Sequence, residues 1–131
     1  MDMSRVHIWL GINDSDDETF EKYFELDYNT DVEIGDPAYQ VCLFCVDIHE
    51  DWYDEDMIEV YKTDHFISVA EALEDVAISK ETVLEINAIC VRKGIENVNA
   101  MFLYIDADLN ITDTEKLFNG LVYLGKFKTI F

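Results

Sequence analysis

The stretch "HEDWYDED", residues 49–56, concentrates residue types that can do chemistry. Six of its eight residues are His, Asp or Glu, and the other two are Trp52 and Tyr53. Carboxylates and imidazoles can hold a metal ion or transfer protons. The same negative charges can instead attract a cationic protein surface. The stretch therefore allows a divalent-metal site, an acid–base site or a binding surface.

The surrounding residues favour a binding surface. Seven acids and no basic residue lie between Asp47 and Glu59, and their mutual repulsion would be relieved by a metal ion or by a cationic partner. Aromatic residues are enriched in binding hot spots, which favours the partner. The proposed contacts are Glu50, Asp51, Trp52, Tyr53, Asp54, Glu55 and Asp56, with Asp14, Asp16 and Asp17 as rim charges. Whether Trp52 points outward or into the core stays open.

Two further motifs resemble metal or redox sites but fit poorly. "CLFC" places Cys42 and Cys45 inside an apolar run, whereas a thioredoxin-like pair should sit where a strand gives way to a helix. Adding His49 and either His65 or Cys90 as zinc ligands matches no standard spacing. The pattern predicts buried structural cysteines.

"DADLNITDTEKL", residues 106–117, begins like a calcium loop but departs from it at two positions. Ile111 stands where the turn needs Gly, and Leu117 where a bidentate Glu belongs, so we predict an ordinary polar loop. No Ser-centred elbow, H-E-x-x-H or phosphate-binding Gly loop is present. His7 alternates within a strand and is interpreted as a satisfied sheet residue. We expect no catalytic residues, no metal site and no cofactor.

Composition limits the function further. The chain has 131 residues, half of them apolar, which predicts one domain over 1–131 with a real core. It carries 29 acids against 9 bases, and 19 of those acids lie in residues 1–65. A net charge of −20 repels nucleic acids and anionic membranes, attracts cationic partners, and at the least favours solubility. The sequence has no apolar run long enough to span a membrane and no signal-peptide pattern, so we expect the protein in the cytoplasm. Its three cysteines, an odd number, argue against a disulfide framework.

The elements that would position these residues are predicted from periodicity and capping signals. In the first half, residues 5–12 read as a strand with Trp9 against a helix, and Ser15 and Glu18 as the capping box of a helix of about three turns. Residues 27–37 are expected to form a loop. Residues 38–48 favour a buried helix that starts at Pro37, although a strand fits the same run, and 52–61 predict a turn with a short helix or strand.

In the second half, Ser68 to Glu71 forms another capping box, and a helix runs from Ser79 to Gly94. The stripe of that helix is predicted to contain Val83, Ile86 and Cys90 with Leu84 and Val91 beside it. Residues 98–105 suit a central strand, and 121–131 a last strand that exposes Lys126 and Lys128. The predicted fold is α+β, with a small, mostly antiparallel sheet of N-terminal and C-terminal strands packed against several helices.

Several stretches, taken in order, carry a family resemblance. They are "VHIWLG", "FEKYFELDY" (20–28), "CLFCVDI" (42–48), "WYDEDMIE" (52–59), "NAMFLY" (99–104) and "NGLVYLGKF" (119–127). Together they are similar to the bacterial immunity protein 22 family of polymorphic toxin systems, and the similarity runs nearly end to end.

This resemblance implies a non-enzymatic cytoplasmic protein, made beside a toxin, that binds the toxin and blocks it. The toxin would have a basic surface, and for a nuclease the acidic inhibitor would imitate the phosphate backbone. Two alternatives remain: a divalent-metal protein or hydrolase that uses the 47–59 carboxylates, and an acidic adaptor. The identity of the toxin and the oligomeric state are left open.

Overall fold

A computed structural model describes residues 3–26, residue 33 and residues 40–131. The strands within these ranges are β1 (Arg5–Gly11), β2 (Ile58–Ser68), β3 (Asn97–Ile105), β4 (Leu117–Phe118) and β5 (Leu121–Lys128). The helices are α1 (Asp17–Lys22), α2 (Leu43–Ile48), α3 (Val69–Ala72) and α4 (Lys80–Lys93), and a 3₁₀ turn spans Glu55–Met57. No helix in these ranges is long and apolar enough to cross a bilayer.

The five strands form one sheet in the order β2-β3-β1-β5-β4, and every strand pairing in the described ranges is antiparallel. The first and last long strands, β1 and β5, lie side by side at the centre. β3 is buried along most of its length, as its apolar sequence predicts for a strand covered on both faces. The predicted α+β class and antiparallel sheet are confirmed.

One face of the sheet carries an aromatic core under α1 and α2. Trp9 of β1 is fully buried and stacks on Phe102 of β3 at a ring-centroid distance of 4.5 Å. Phe44 of α2 meets the indole edge-on at 5.7 Å, which confirms that Trp9 packs against a helix. The indole Nε1 is buried and finds no hydrogen-bond acceptor in the described part of the chain. Packing of large rings, rather than polar bonding, holds this layer.

The opposite face carries a second, aliphatic core under α3 and α4. Ile8 and Leu10 alternate with Trp9 along β1, so they point to this side and pack with Leu73 and Ile86. The sheet is thus the middle of three layers. The helices before β2 cover one face and the helices after β2 cover the other.

The start of α1 differs from the capping-box prediction. The N-cap is Asp16, whose carboxylate accepts a hydrogen bond from the Thr19 amide at 2.7 Å. Ser15 instead bonds to Asn13, whose side-chain oxygen accepts both the amide and the hydroxyl of Ser15. The helix has six residues rather than about three turns. Ser and Asp are both favourable N-cap residues. Because Ser15 is bonded to Asn13, Asp16 takes the N-cap position.

The second helix is confirmed only in its later part. α2 begins at Leu43, with Cys42 as N-cap, so the helix predicted to start at Pro37 begins six residues later in the chain. Pro37 lies outside the described residues, as does the loop predicted over 27–37 apart from residue 33. The turn expected within 52–61 is the 3₁₀ turn, and the first residues of β2 follow it directly.

The caps predicted in the second half are confirmed. Ser68 and Ser79 accept bonds from amides three residues on, and Gly94 ends α4 in the left-handed conformation at φ 76°. Placing Leu84 and Val91 beside the buried stripe of α4 was wrong. They are 68% and 75% exposed, because the side of α4 that faces the core runs along Ile86 and Cys90, with Val83 and Ile89 partly buried against the same cluster.

β5 contains a bulge where it pairs with Ile8 and Trp9 of β1. The register shifts between Ile8, opposite Gly125, and Trp9, opposite Tyr123, so Leu124 is the extra residue. Tyr123 belongs to the aromatic core and Leu124 to the aliphatic one. Gly125 sits at φ 137°, and a Cβ built there would lie 3.1 Å from the Phe127 ring.

Substitution of Gly125 by Ala tests the bulge against a matched control. Gly125→Ala should lower the free energy of unfolding by about 2–3 kcal/mol, because it adds a clash to an unfavourable φ. Gly94→Ala, with a positive φ but open space around it, should cost only about 1 kcal/mol. Urea unfolding of both variants measures the difference, and equal losses would show that the contact with Phe127 is unimportant.

Candidate functional site

Tyr53 anchors residues 49–56, which we call the acidic stretch, to the aromatic core. Its ring is 2% exposed and packs edge-on against Phe44 at 5.2 Å and Tyr104 at 5.9 Å. Its hydroxyl donates to the backbone carbonyl of Phe24. The Tyr53 side chain is therefore not on the surface, and the proposed set of contacts must be corrected at this position. Its role is to fix the stretch against the aromatic core.

Trp52 points the other way. Its side chain is 48% exposed. Since Tyr53 is held in the core, the neighbouring side chain projects to solvent, which decides the orientation that the sequence left open. A half-exposed indole next to carboxylates can bury apolar area against a partner while the rim charges stay hydrated.

The acids of the stretch fall into two groups. Asp54 is half-buried, and its carboxylate accepts a bond from the Asp56 amide at 3.0 Å, which caps the 3₁₀ turn. Its own amide donates to the Tyr104 hydroxyl at 3.0 Å. The remaining members are exposed, and these are Glu50, Asp51, Glu55 and Asp56. Asp54 thus supports the local fold, while the other four present charge to solvent.

Asp47, the first acid of the run, is neutralised within the protein. The Tyr23 hydroxyl donates to one carboxylate oxygen at 2.6 Å, and the Lys116 ammonium lies 2.5 Å from the other. Burial and the bond to this carboxylate together raise the pKa of Tyr23 far above its ordinary value. The hydrogen bond to Asp47 raises the pKa of Lys116. Asp47 therefore contributes little negative field to the surface.

The stretch and α1 together form an acidic cleft of about 640 Å³. We call it the α1 cleft; it is lined by Glu18, Glu21, Lys22, Phe24 and Glu25 on one side and by Tyr53, Glu55 and Val60 on the other. Its four carboxylates face a single lysine, and the Lys22 ammonium lies 3.8 Å from Glu18. Sequence reasoning missed Glu18, Glu21 and Glu25 as site residues. Glu18 and Glu21, at i and i+3, lie on one side of α1, and Glu25 follows the end of the helix.

The predicted rim charges lie at the start of α1 beside this cleft. Asp14 and Asp17 are exposed, and Asp17 pairs with Lys62 of β2 at 3.5 Å. The carboxylate of Asp16 is already used as the cap of α1, and the bond from Thr19 lowers its pKa. The structure therefore places Glu18 of α1, the residue after Asp17, and Glu55 of the acidic stretch in the wall of one cleft.

Comparison with known families shows to which family the chain belongs. The family model of Immunity protein 22 matches residues 6–129 of the 131. The chain belongs to the Immunity protein 22 family. This membership supports a toxin-binding, toxin-neutralising role for the domain. Searches of curated proteins and of solved structures find no match.

In this Immunity protein 22 member, the two cysteines of "CLFC" are buried, as predicted. Their sulfurs lie 3.0 Å apart, and Cys42 Sγ accepts a bond from the Cys45 amide at 3.3 Å. Hydrogen bonding to the Cys45 thiol lowers the pKa of Cys42 to about 7, and the same contact raises that of Cys45. Contrary to expectation, the motif opens a helix, although the residues just before it, 40–42, form no strand.

The loop that begins "DADLN" is a polar loop, as predicted. Oxygen atoms of the loop accept hydrogen bonds from a lysine side chain. Lys126 Nζ donates to the carbonyls of Ala107 and Leu109 at 3.0 and 3.2 Å, and to the Asn110 side chain at 3.0 Å. Asp106 accepts bonds from the amides of 108 and 109 instead of facing a ligand. Across the described ranges, no three His, Cys, Asp or Glu residues are grouped so as to hold a metal ion.

His7 is a fully buried member of the sheet with both ring nitrogens bonded. Nε2 lies 2.9 Å from the Asp106 carbonyl, which can only accept, so Nε2 carries the proton. Nδ1 then accepts from the Tyr123 hydroxyl at 2.8 Å. Burial and, to a smaller extent, the nearby Lys126 ammonium lower the pKa of His7 to about 4, against the opposing effect of the hydrogen bond to Asp106. The interpretation as a satisfied sheet residue is confirmed.

His7 should make the domain sensitive to mild acid. In the unfolded chain the pKa of His7 is near its ordinary value of 6.5, so its imidazole becomes protonated below that pH. In the folded state the imidazole stays neutral until about pH 4, so acid favours the unfolded state between these two values. The resulting loss of unfolding free energy is about 2 kcal/mol between pH 7 and pH 4.5. Urea unfolding at both pH values should show this loss in the parent and not in His7→Gln. An equal pH dependence in both proteins would contradict a neutral buried His7.

Proposed function

We propose that this Immunity protein 22 member neutralises a nuclease toxin of a polymorphic toxin system by covering its basic substrate cleft. The α1 cleft carries this proposal, because it joins acids from two separate parts of the chain into one negative surface. The contact residues would be Glu18, Glu21, Glu25 and Glu55 in the cleft and Glu50, Asp51, Trp52 and Asp56 of the acidic stretch, with Asp14 and Asp17 at the rim. The protein would act in the cytoplasm of the producing cell, without catalysis and without a cofactor.

Exposed carboxylates suit such an inhibitor for a kinetic reason. The toxin must be captured before it reaches its substrate, and a net charge of −20 accelerates encounter with a basic protein. Each exposed ion pair contributes only about 0–1 kcal/mol, so the charges govern rate and salt dependence more than final affinity.

The affinity needs an apolar contact beside the charges, and Trp52 of the same stretch offers one. It is the large aromatic side chain of the stretch that reaches solvent, since Tyr53 is buried. A Trp that fills a pocket at an interface commonly accounts for about 2 kcal/mol or more of binding. The acids around it would pair with Lys or Arg at the edge of that pocket.

Reversing exposed charges tests the acidic surface. The double variant Glu55→Lys, Asp56→Lys should bind the C-terminal domain of the protein encoded immediately upstream about 10–100-fold more weakly at low salt. The double variant avoids Asp54, whose carboxylate caps the 3₁₀ turn, so the turn should be retained, and urea unfolding of the variant checks that it is folded. Glu85→Lys, an exposed reversal on α4, is the control and should keep its affinity. Binding kinetics at two salt concentrations give the measurement.

An unchanged affinity in the double variant would reject this surface as the interface. Saturable binding of calcium, magnesium, manganese or zinc by calorimetry, with no toxin binding, would instead support the metal-binding alternative. An absence of both would leave an acidic adaptor as the better description.

Removing the exposed indole tests the apolar contact. Trp52→Ala should weaken toxin binding at least about tenfold, mainly through faster dissociation, because the loss is of packing rather than of steering. Leu84→Ala is the matched control, since Leu84 is at least as exposed but lies on α4. Both variants should unfold like the parent. A Trp52 variant with parental dissociation kinetics would place the hot spot elsewhere.

A further inference from the structure

The edge strand β2 presents an unusual surface. It runs for 11 residues, and one of its sides pairs with β3. Its other side meets no strand in the described parts of the chain. Such an edge displays backbone N–H and C=O groups that can pair with another chain. Val60 and Tyr61, near the middle of the paired segment, are 39% and 44% exposed.

An acidic cavity lies on each face of the sheet beside this edge. The α1 cleft lies on the face of the aromatic core, and a groove of about 860 Å³ lies against α3. We call the second one the α3 groove; its walls include Glu59, Glu71, Glu74 and Asp75, and its apolar lining includes Ile67 and Met101. No basic residue is among the described residues that line it. Val60 borders both cavities.

We propose that β2 captures an extended cationic segment of the toxin, which pairs with it as a sixth strand. This inference rests on the proposed function and names the contact by which it operates. Successive side chains of a strand point to opposite faces. Lys or Arg residues of the added strand would therefore enter the α1 cleft and the α3 groove in turn, while backbone bonds to β2 supply affinity.

The chemistry of the edge favours an extended segment over a helix. A helix has already paired its backbone groups and cannot bond to the free side of β2. The exposed Val60 and Tyr61 offer apolar surface to the aliphatic stems of Lys and Arg, whose charged ends can continue to the carboxylates. Both cavities are needed by an alternating cationic strand, whereas a partner docked on one face would use only one of them.

The length of the captured segment follows from the register. β2 pairs regularly with β3 from Ile58 to Lys62, and the pairing resumes only at Ile67 after a shift. The regular part of the edge can therefore accept about five residues of a partner strand before the irregularity.

Hydrogen exchange of the complex with the upstream-encoded toxin domain tests the inference. Amides alternate along an edge strand between the paired side and the free side. The free-side amides within 58–62 should exchange rapidly in the protein alone and at least about tenfold more slowly in the complex. Amides of the outer face of α4 serve as the internal reference. If the complex forms and the free-side amides exchange as before, this inference fails while the proposed function stands. If no complex forms, both fail.

Proline substitution gives an independent test. Adjacent residues of β2 direct their amides to opposite sides, so only one of Val60→Pro and Tyr61→Pro removes an amide that bonds to β3, and that variant should lower stability. The other removes a free-side amide, whose loss an edge strand tolerates. Unfolding measurements identify which is which. The stable one should bind the toxin domain at least about tenfold more weakly than the Ala variant at the same position, which controls for the side chain. Equal affinity of the stable Pro variant and its Ala control would overturn the added strand.

Discussion

The stacking of Trp9 on Phe102 fixes the positions of both halves of the acidic surface. Phe24, which follows α1, meets the Phe102 ring edge-on at 4.9 Å, and Phe44 of α2 meets it at 5.7 Å. Tyr53 packs in turn on Phe44, so a continuous set of ring contacts joins the sheet to the acidic stretch. Without this apolar burial, the carboxylates on the two sides of the α1 cleft would repel each other apart. The aromatic core therefore holds the two sides of the negative surface together.

The count of acids overstates the charge that a partner can meet. Asp47 is bonded to Tyr23 and Lys116, and the carboxylates of Asp16 and Asp54 cap turns of their own chain. These groups stabilise the local fold, and their negative field is partly cancelled by the donors they accept. The described acids that stay exposed are spread over several surfaces, and the α1 cleft brings four of them together: Glu18, Glu21, Glu25 and Glu55.

Local signals predicted much of the fold, and long-range contacts account for what they missed. Apolar runs revealed the strands 5–11 and 97–105, and Ser79 with Gly94 marked both ends of α4. The acidic stretch and its exposed members were visible in the sequence. Which of two adjacent aromatics is buried depends on a pocket between Phe44 and Tyr104, residues far apart in the chain. β2 was predicted only in part, as a short helix or strand within 52–61, because an edge strand with polar, exposed positions lacks the alternation that marks a half-buried one.

The edge of β2, which pairs with no second neighbour among the described strands, also bears on how the molecule behaves among copies of itself. Long exposed edges invite identical chains to pair, which leads to aggregation. Here any second copy would bring its own Glu59, Glu71, Glu74 and Asp75 against the same four carboxylates. That repulsion acts on like molecules and weakens as salt screens it. The acidic edge therefore repels a second copy of this chain but attracts a positively charged strand. The charge that protects the edge from self-assembly thus leaves it available to a cationic partner.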